Sequence, residues 1–226
     1  MIDVKIIKKN PAFKKFPLSS LSKIAKDARI FRFKRKQIII REKAKPDYVY
    51  FILKGKVQVF KFDEVGREKT LAILSEGDVF GEMAPLSSSR RSAFIKALEN
   101  VKAIGIASRN FKTLVKEDVS MANLLNEILV RRLERVDKYL EVLSYESVRK
   151  KIVGLLLLFG TIEKKKKRKV RVYLTQVELA GMINSAREVI NRNLQALRRK
   201  KLVKIERKFI EVPSIRNLRE YLLKLE

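Results

Sequence analysis

The sequence predicts an α+β fold: an antiparallel β-roll, then a long helix, then a C-terminal winged helix-turn-helix closed by a terminal helix. Three observations carry this. Short β-branched and aromatic runs broken by turn residues fill the chain from Phe31 to Leu114. No Gly or Pro interrupts Val119 to Tyr145. Between Leu174 and Leu197, two helix starts stand ten residues apart, which leaves room for little but a turn.

In the first part, the runs Gln37 to Ile40, Tyr48 to Leu53, Val57 to Phe62 and Lys69 to Leu74 alternate or are wholly apolar, as antiparallel strands do. Asp63-Glu64-Val65-Gly66 fits a hairpin loop, while Lys54-Gly55 and Glu76-Gly77-Asp78 mark further turns. Many short strands without crossover helices point to a barrel or roll. Next, Val119 to Tyr145 forms a helix about 40 Å long at 1.5 Å per residue. Its Leu129, Leu133, Val136, Leu140 and Leu143 alternate by four and three, a heptad seam of the kind that pairs with its own copy. The alternative is that this stripe packs on its own β domain. Ser147 is an N-cap for an apolar helix over Val148 to Phe159, so the chain divides into residues 1–118, 119–145 and 146–226. Lys164 to Lys169 is a solvated loop.

Thr175 with Glu178, and Ser185 with Glu188, each fit a capping box, in which hydroxyl and carboxylate satisfy backbone donors at a helix start. Asn184 between them tolerates the left-handed conformation of a sharp turn. On the second helix Ile190, Leu194 and Leu197 share one stripe, and Glu188, Arg192, Gln195 and Arg199 share the opposite one. Arg187 projects from the first turn, where such a helix meets base edges in a major groove. Arginine bonds guanine bidentately and glutamate accepts from cytosine, so Arg187, Glu188 and Arg192 have the chemistry of base reading. The alternative is a surface helix with a Glu188–Arg192 pair. Leu202 to Glu206 and Phe209 to Val212 read as a hairpin wing with Arg207 and Lys208 at its tip, suited to phosphate. Ser214 to Glu226, with Ile215, Leu218, Leu222 and Leu225 at helical spacing, closes the domain as a helix.

Composition narrows the function classes. The 226 residues are 46% hydrophobic, enough for two ordinary cores, and no run approaches 18 uncharged apolar residues, so no membrane span or membrane partner is expected. The N-terminus lacks a signal-peptide core, which makes the cytoplasm the expected location. With neither Cys nor His there is no disulfide, thiolate-held iron–sulfur cluster or haem, zinc finger or imidazole base. No paired acid/base constellation, Walker loop or metal-ligand spacing supports an enzyme. The formal charge of +28 draws polyanions. Residues 146–226 hold 22 Lys or Arg against 8 Asp or Glu, and residues 1–145 hold 31 against 17, so the C-terminal part is the denser in charge. A Lys/Glu-rich, Cys-free composition is also that of heat-adapted proteins. A non-specific DNA-packaging protein is the rival from another class.

Two motifs then carry a resemblance. Phe80-Gly81-Glu82-Met83-Ala84 followed by Arg91-Ser92-Ala93 looks like a phosphate-binding cassette, and Thr175 to Leu197 places Arg187, Glu188 and Arg192 at base-reading positions. With the order of elements, they make the chain resemble the cyclic AMP receptor protein/FNR superfamily of bacterial transcription regulators over nearly its whole length. A glycine lets backbone approach a ligand, and the N–H groups at a following helix start can cradle an anion. The resemblance implies a β-roll of the cyclic-nucleotide-binding type, with Gly81, Glu82 and Met83 on the sugar–phosphate of a cyclic nucleotide and Glu82 accepting from its ribose. It puts Arg91 and Ser92 on the cyclic phosphate, and Arg132, Val136 and Asp137 of the seam helix near the base. The alternative is a Glu82–Arg91 salt bridge closing a roll without nucleotide, in a regulator that needs no effector or takes a different one.

The resemblance further implies allosteric control, a homodimer on pseudo-palindromic double-stranded DNA, and RNA polymerase as a candidate partner. Thr175, Ser185, Gln195, Arg199, Arg207 and Lys208 join the base readers at the DNA. Two departures matter. Val136-Asp137 stands where cyclic AMP-responsive relatives carry Thr-Ser, and Asp137 favours an amino or imino donor such as guanine offers. Ala186 replaces the serine that commonly precedes the first recognition arginine.

Overall fold

The structure is a computed structural model that describes residues 2–66, 68–162, 170–206 and 209–225. It divides into two compact units, Met1–Arg131 and Arg132–Glu226. In the first, α1 (Val4–Lys8), a single 3-10 turn (Pro11–Phe13) and α2 (Leu18–Asp27) precede the strands. Then come β1 (Arg29–Phe33), β2 (Ile38–Ile40), β3 (Tyr48–Lys54), β4 (Val57–Phe62), β5 (Glu68–Leu74), β6 (Val79–Phe80), α3 (Met83–Ser87), β7 (Phe94–Ala97), β8 (Val101–Ala107), α4 (Ser108–Glu117) and the first half of α5 (Val119–Ser144), whose residues from Arg132 on belong to the second unit. All ladders are antiparallel, in two sheets ordered β1-β8-β3-β6 and β2-β7-β4-β5. This is the expected roll.

Between the sheets lies one core, built from Ile40, Tyr50, Ile52, Val57, Phe80, Ile95 and Ala103 among others. The opposite face of the first sheet carries Val49, Phe51, Ile104 and Ile106 into a second core with Ile7, Phe13, Leu21, Ile24 and Phe111. Because β3 is buried on both faces, Tyr48 to Leu53 is a continuous apolar run rather than an alternating one. The helical segment before the roll, for which sequence pattern predicts no element, supplies that second layer. Asn10 fastens it: fully buried, it accepts from Ala12 N–H at 2.9 Å and donates to the Ile52 carbonyl at 3.0 Å.

The long helix α5 is present as expected, ending at Ser144. In the second unit follow α6 (Val148–Leu158), β9 (Thr161–Ile162), β10 (Val170–Val172), α7 (Gln176–Met182), α8 (Arg187–Arg199), β11 (Lys204–Ile205), β12 (Ile210–Val212) and α9 (Ile215–Leu223). Ser147 caps α6 as expected, accepting from Lys150 N–H at 3.1 Å. The helix stops one residue short of the expected Phe159, which is its C-cap. Gly154 lets α6 approach α5 closely, since a Cβ there would meet Val142 Cγ2 at 2.7 Å. The wing strands β11 and β12 pair antiparallel but are shorter than expected, and they extend a sheet ordered β11-β12-β10-β9. Strands β9 and β10 are not expected from the sequence, because runs of two and three residues carry too little pattern to register. The expected basic loop Lys164 to Lys169, the wing tip Arg207-Lys208 and the terminal Glu226 lie outside the described residues.

Candidate functional site

The turn between α7 and α8 is built from two backbone motifs that meet. Thr175 opens α7 with a complete capping box: its Oγ1 accepts from Glu178 N–H at 3.2 Å, and the Glu178 carboxylate accepts from Thr175 N–H at 2.6 Å. At the other end Asn184 adopts the left-handed conformation, φ 50°, and Ser185 N–H closes back on the Ala180 carbonyl at 3.0 Å. This is the closure that ends a helix around a left-handed residue. It corrects the second expected capping box. With Ser185 spent on terminating α7, α8 starts one residue later, at the Ala186 N-cap, with no side-chain acceptor. Neither Ser185 nor Glu188 caps it.

A pair of substitutions separates the two ends. Thr175→Ala is expected to cost about 1 kcal/mol of stability, the usual loss on removing an N-cap. Ser185→Ala should stay within about 0.5 kcal/mol, as at an ordinary surface position. Urea melts of the two variants decide it, and equal losses would put the start of α8 back at Ser185.

Along α8, Ile190, Leu194 and Leu197 are fully buried, while Arg187, Glu188, Arg192 and Arg199 are exposed. Gln195 is half-buried, its Nε2 directed at Asn191 Oδ1 at 3.5 Å. No ion pair joins Glu188 to Arg192 among the described residues, so the alternative of a self-paired surface helix finds no support. Thr175 and Arg187 line a concavity of about 230 Å³ together with Glu206 and Phe209 at the base of the wing. Arg171 stacks on the Phe209 ring at 4.4 Å and roots the wing.

Two positioning residues leave no local signal in the sequence because their partners lie more than forty residues away. Asn193, buried on α8, donates to the Val189 carbonyl at 2.9 Å and accepts from Arg149 Nε of α6 at 3.1 Å. Tyr139 of α5 donates its hydroxyl to the Met182 carbonyl at 2.6 Å, at the end of α7. Burial raises the Tyr139 hydroxyl above the ordinary tyrosine pKa, so it remains a donor.

The cassette sits in the N-terminal unit. Gly81 has φ 79°, and a Cβ there would come within 2.7 Å of Arg91 Nη1. Glycine is favoured by that backbone conformation, and a Cβ would also crowd the Arg91 guanidinium and the Tyr48 carbonyl, an intramolecular reason beyond the ligand approach expected from the sequence. The buried guanidinium donates to the Gly81 carbonyl at 2.5 Å, the Tyr48 carbonyl at 2.7 Å and Asp47 Oδ1 at 2.8 Å. The ion pair that closes the cassette is thus Arg91–Asp47 rather than the Glu82–Arg91 bridge weighed above. Three of the five guanidinium N–H groups are so committed. Glu82 is buried as the N-cap residue of the one-turn α3, whereas Met83 and Ser92 are exposed. Nearby, burial and then the Asp47 carboxylate hold the Tyr50 hydroxyl far above the ordinary tyrosine range. Arg132, Val136 and Asp137 belong to the other unit, on α5, with Arg132 half-buried and the other two exposed.

The seam of α5 is bare. Leu129 is 39% exposed, Leu133 62%, Val136 51% and Leu140 58%, while Leu143 is half-buried. Tyr139 and Val142, on another side of the same helix, make its contacts within the C-terminal unit.

Known proteins share both parts. Residues 30–118 match the family model of the cyclic nucleotide-binding domain, and residues 150–221 match that of the Crp-like helix-turn-helix domain. The chain is 31% identical over 175 residues to the cyclic AMP receptor protein of Thermus thermophilus, covering 76% of this chain and 78% of that protein. Among solved structures, a CRP-family transcriptional regulator of the same organism superposes with a TM-score of 0.68 at 23% identity, over 85% of this chain and 96% of that one. The c-di-GMP-responsive global regulator of Xanthomonas campestris superposes with a TM-score of 0.68 at 18% identity, over 87% of this chain and 99% of that one. No helix among the described residues is long and apolar enough to cross a membrane.

Proposed function

The chain belongs to the cyclic AMP receptor protein/FNR superfamily of transcription regulators, and on that premise we propose that it works as a homodimer on a specific pseudo-palindromic DNA site, under control of a small anionic effector. Its place of action is the cytoplasm, and no catalytic step is assigned to it. One observation carries the DNA reading above all: Arg187, Glu188 and Arg192 face outward from a helix whose aliphatic ridge is fully buried. The guanidiniums suit guanine edges and the carboxylate suits the cytosine amino group. The first N–H groups of α8 lack intrahelical partners and suit a phosphate. Two copies paired through Leu129, Leu133, Val136, Leu140 and Leu143 would present two such helices. Their half-sites would lie about 34 Å apart, the general spacing for two-fold helix-turn-helix dimers. Selection from random duplexes tests this: a two-fold symmetric consensus supports it, and binding without any preferred sequence refutes it in favour of DNA packaging.

For the effector, a cyclic nucleotide fits the cassette chemistry, with Gly81, Glu82 and Met83 along the sugar–phosphate and Arg91 with Ser92 at the phosphate. Among the described residues two N–H groups of Arg91 are uncommitted, and Asp47 competes for the guanidinium with any incoming anion. Arg91→Ala is therefore expected to abolish binding, and Asp47→Asn to tighten it, when cyclic AMP, cyclic GMP and cyclic di-GMP are titrated calorimetrically. The Arg91–Asp47 pair also favours a second reading, in which Arg91 only closes the roll and the regulator acts without a nucleotide. Absence of heat with all three nucleotides on the wild type, together with a lowered melting temperature for Arg91→Ala, would establish that reading instead.

A further inference from the structure

Three cations stand abreast at one end of the first sheet. Arg32 of β1 is opposite Lys102 of β8, and Lys102 is in turn opposite Lys54 of β3. Directly opposed residues point to the same side of a sheet, and like charges so placed repel. The third member is there because of a register shift: Ile52 faces Ala103, so an unbroken ladder would set Leu53 against Lys102, but an irregularity between Ile52 and Lys54 substitutes the lysine. Re-aiming a side chain is what a bulge does. Gly55 then turns the chain with φ 96° where a Cβ would meet the Asn100 carbonyl oxygen at 2.6 Å, so the turn holds Lys54 in place.

The row lines a surface groove of about 420 Å³ with Lys34, Phe33, Asn100 and Val101, and no carboxylate takes part in the lining. Arg32, Lys34 and Lys54 are exposed and Lys102 is half-buried. Among the described residues none of the four carries an ion pair. Strands about 4.8 Å apart make the row about 10 Å wide. One small anion would reach only part of it, whereas a chain of regularly spaced charges reaches all of it.

We infer that this groove is a sequence-independent binding site for the phosphodiester backbone of nucleic acid, on the N-terminal unit and separate from α8. Arginine suits phosphate through its planar fork and lysine as a point charge. The site stands on the strand register; only the expectation that its phosphates belong to DNA rests on the function proposed above.

The test is the full-length protein with Arg32→Gln, Lys54→Gln and Lys102→Gln combined, measured on long random-sequence duplex across a salt series. Each lost phosphate contact lowers the slope of log affinity against log salt by about 0.9, so the triple variant should lose about 2 to 3. It should keep the wild-type ratio of affinities for selected and random sequence, whereas Arg187→Ala should change that ratio and not this slope difference. Failure here is thereby distinguished from failure of the regulator reading. Single-stranded RNA and inorganic polyphosphate serve as further probes, and a slope loss on RNA alone would move the source from DNA to RNA while upholding the site. Poly-glutamate bound as tightly as DNA through the same residues would overturn it in favour of an acidic protein partner. An unchanged slope on every nucleic acid would overturn it outright. Should the triple variant melt below wild type, Lys54→Gln alone is expected to lose about 0.9 of slope, and no loss there has the same force.

Discussion

Leu133→Glu combined with Leu140→Glu is expected to yield a monomer that has lost its specific DNA site. Both leucines are more than half exposed, seven residues apart on one helix stripe. Burying such a side chain fully contributes about 1.5–3 kcal/mol, so the four barest seam positions of two copies supply most of an association free energy. Glutamate at the same places would bring carboxylates together in an apolar seam. The fold of each copy should survive, because the residues that pack α5 on its own unit, Tyr139 and Val142, face elsewhere. Light scattering coupled to size exclusion should show half the wild-type mass. Affinity for a selected palindrome should fall by about 10²–10⁴-fold, the advantage of linking two weak contacts. A variant that stays dimeric and keeps its site would place the dimer contact outside α5.

How far the molecule could be read from its sequence depended on the range of each interaction. The Thr175–Glu178 box is closed within three residues, and both of its bonds form. Ser185 satisfies the same local rule yet fails it, because the rule looks forward only: the backbone of Ser185 is already engaged with Ala180 behind it. The seam leucines were legible because a helix repeats its faces faithfully. Asp47 was not, since its partner Arg91 is 44 positions away and an aspartate in a loop has many uses. The segment from Val4 to Asp27 stayed silent for a different reason. Its helices are short and lysine-flanked, and Ile7, Phe13, Leu21 and Ile24 form a pattern only against the sheet they cover. Nor could spacing alone disclose that an irregularity in β3 turns Lys54 into the neighbour of Lys102.

Arg187→Ala and Arg192→Ala should each weaken binding to the selected sequence by about 1–3 kcal/mol, and random duplex by less. The asymmetry is the point of the experiment. A guanidinium that only meets phosphate lowers affinity for every sequence alike, while one that spans guanine O6 and N7 loses more where guanine stands. The structure makes the comparison clean, because neither arginine has an ion pair to break among the described residues and the ridge beneath them is sealed by Ile190, Leu194 and Leu197. The Asn193–Arg149 contact to α6 holds the helix in place independently of both. Glu188→Ala should act at a different base, relaxing the preference for cytosine, so that three substitutions on one helix face map to distinct positions of the site. Competition binding of each variant against single-base changes in the selected palindrome resolves them. Were all three to weaken cognate and random DNA by the same factor, α8 would be gripping backbone, and the sequence choice would have to come from the shape of the DNA or from residues of the wing.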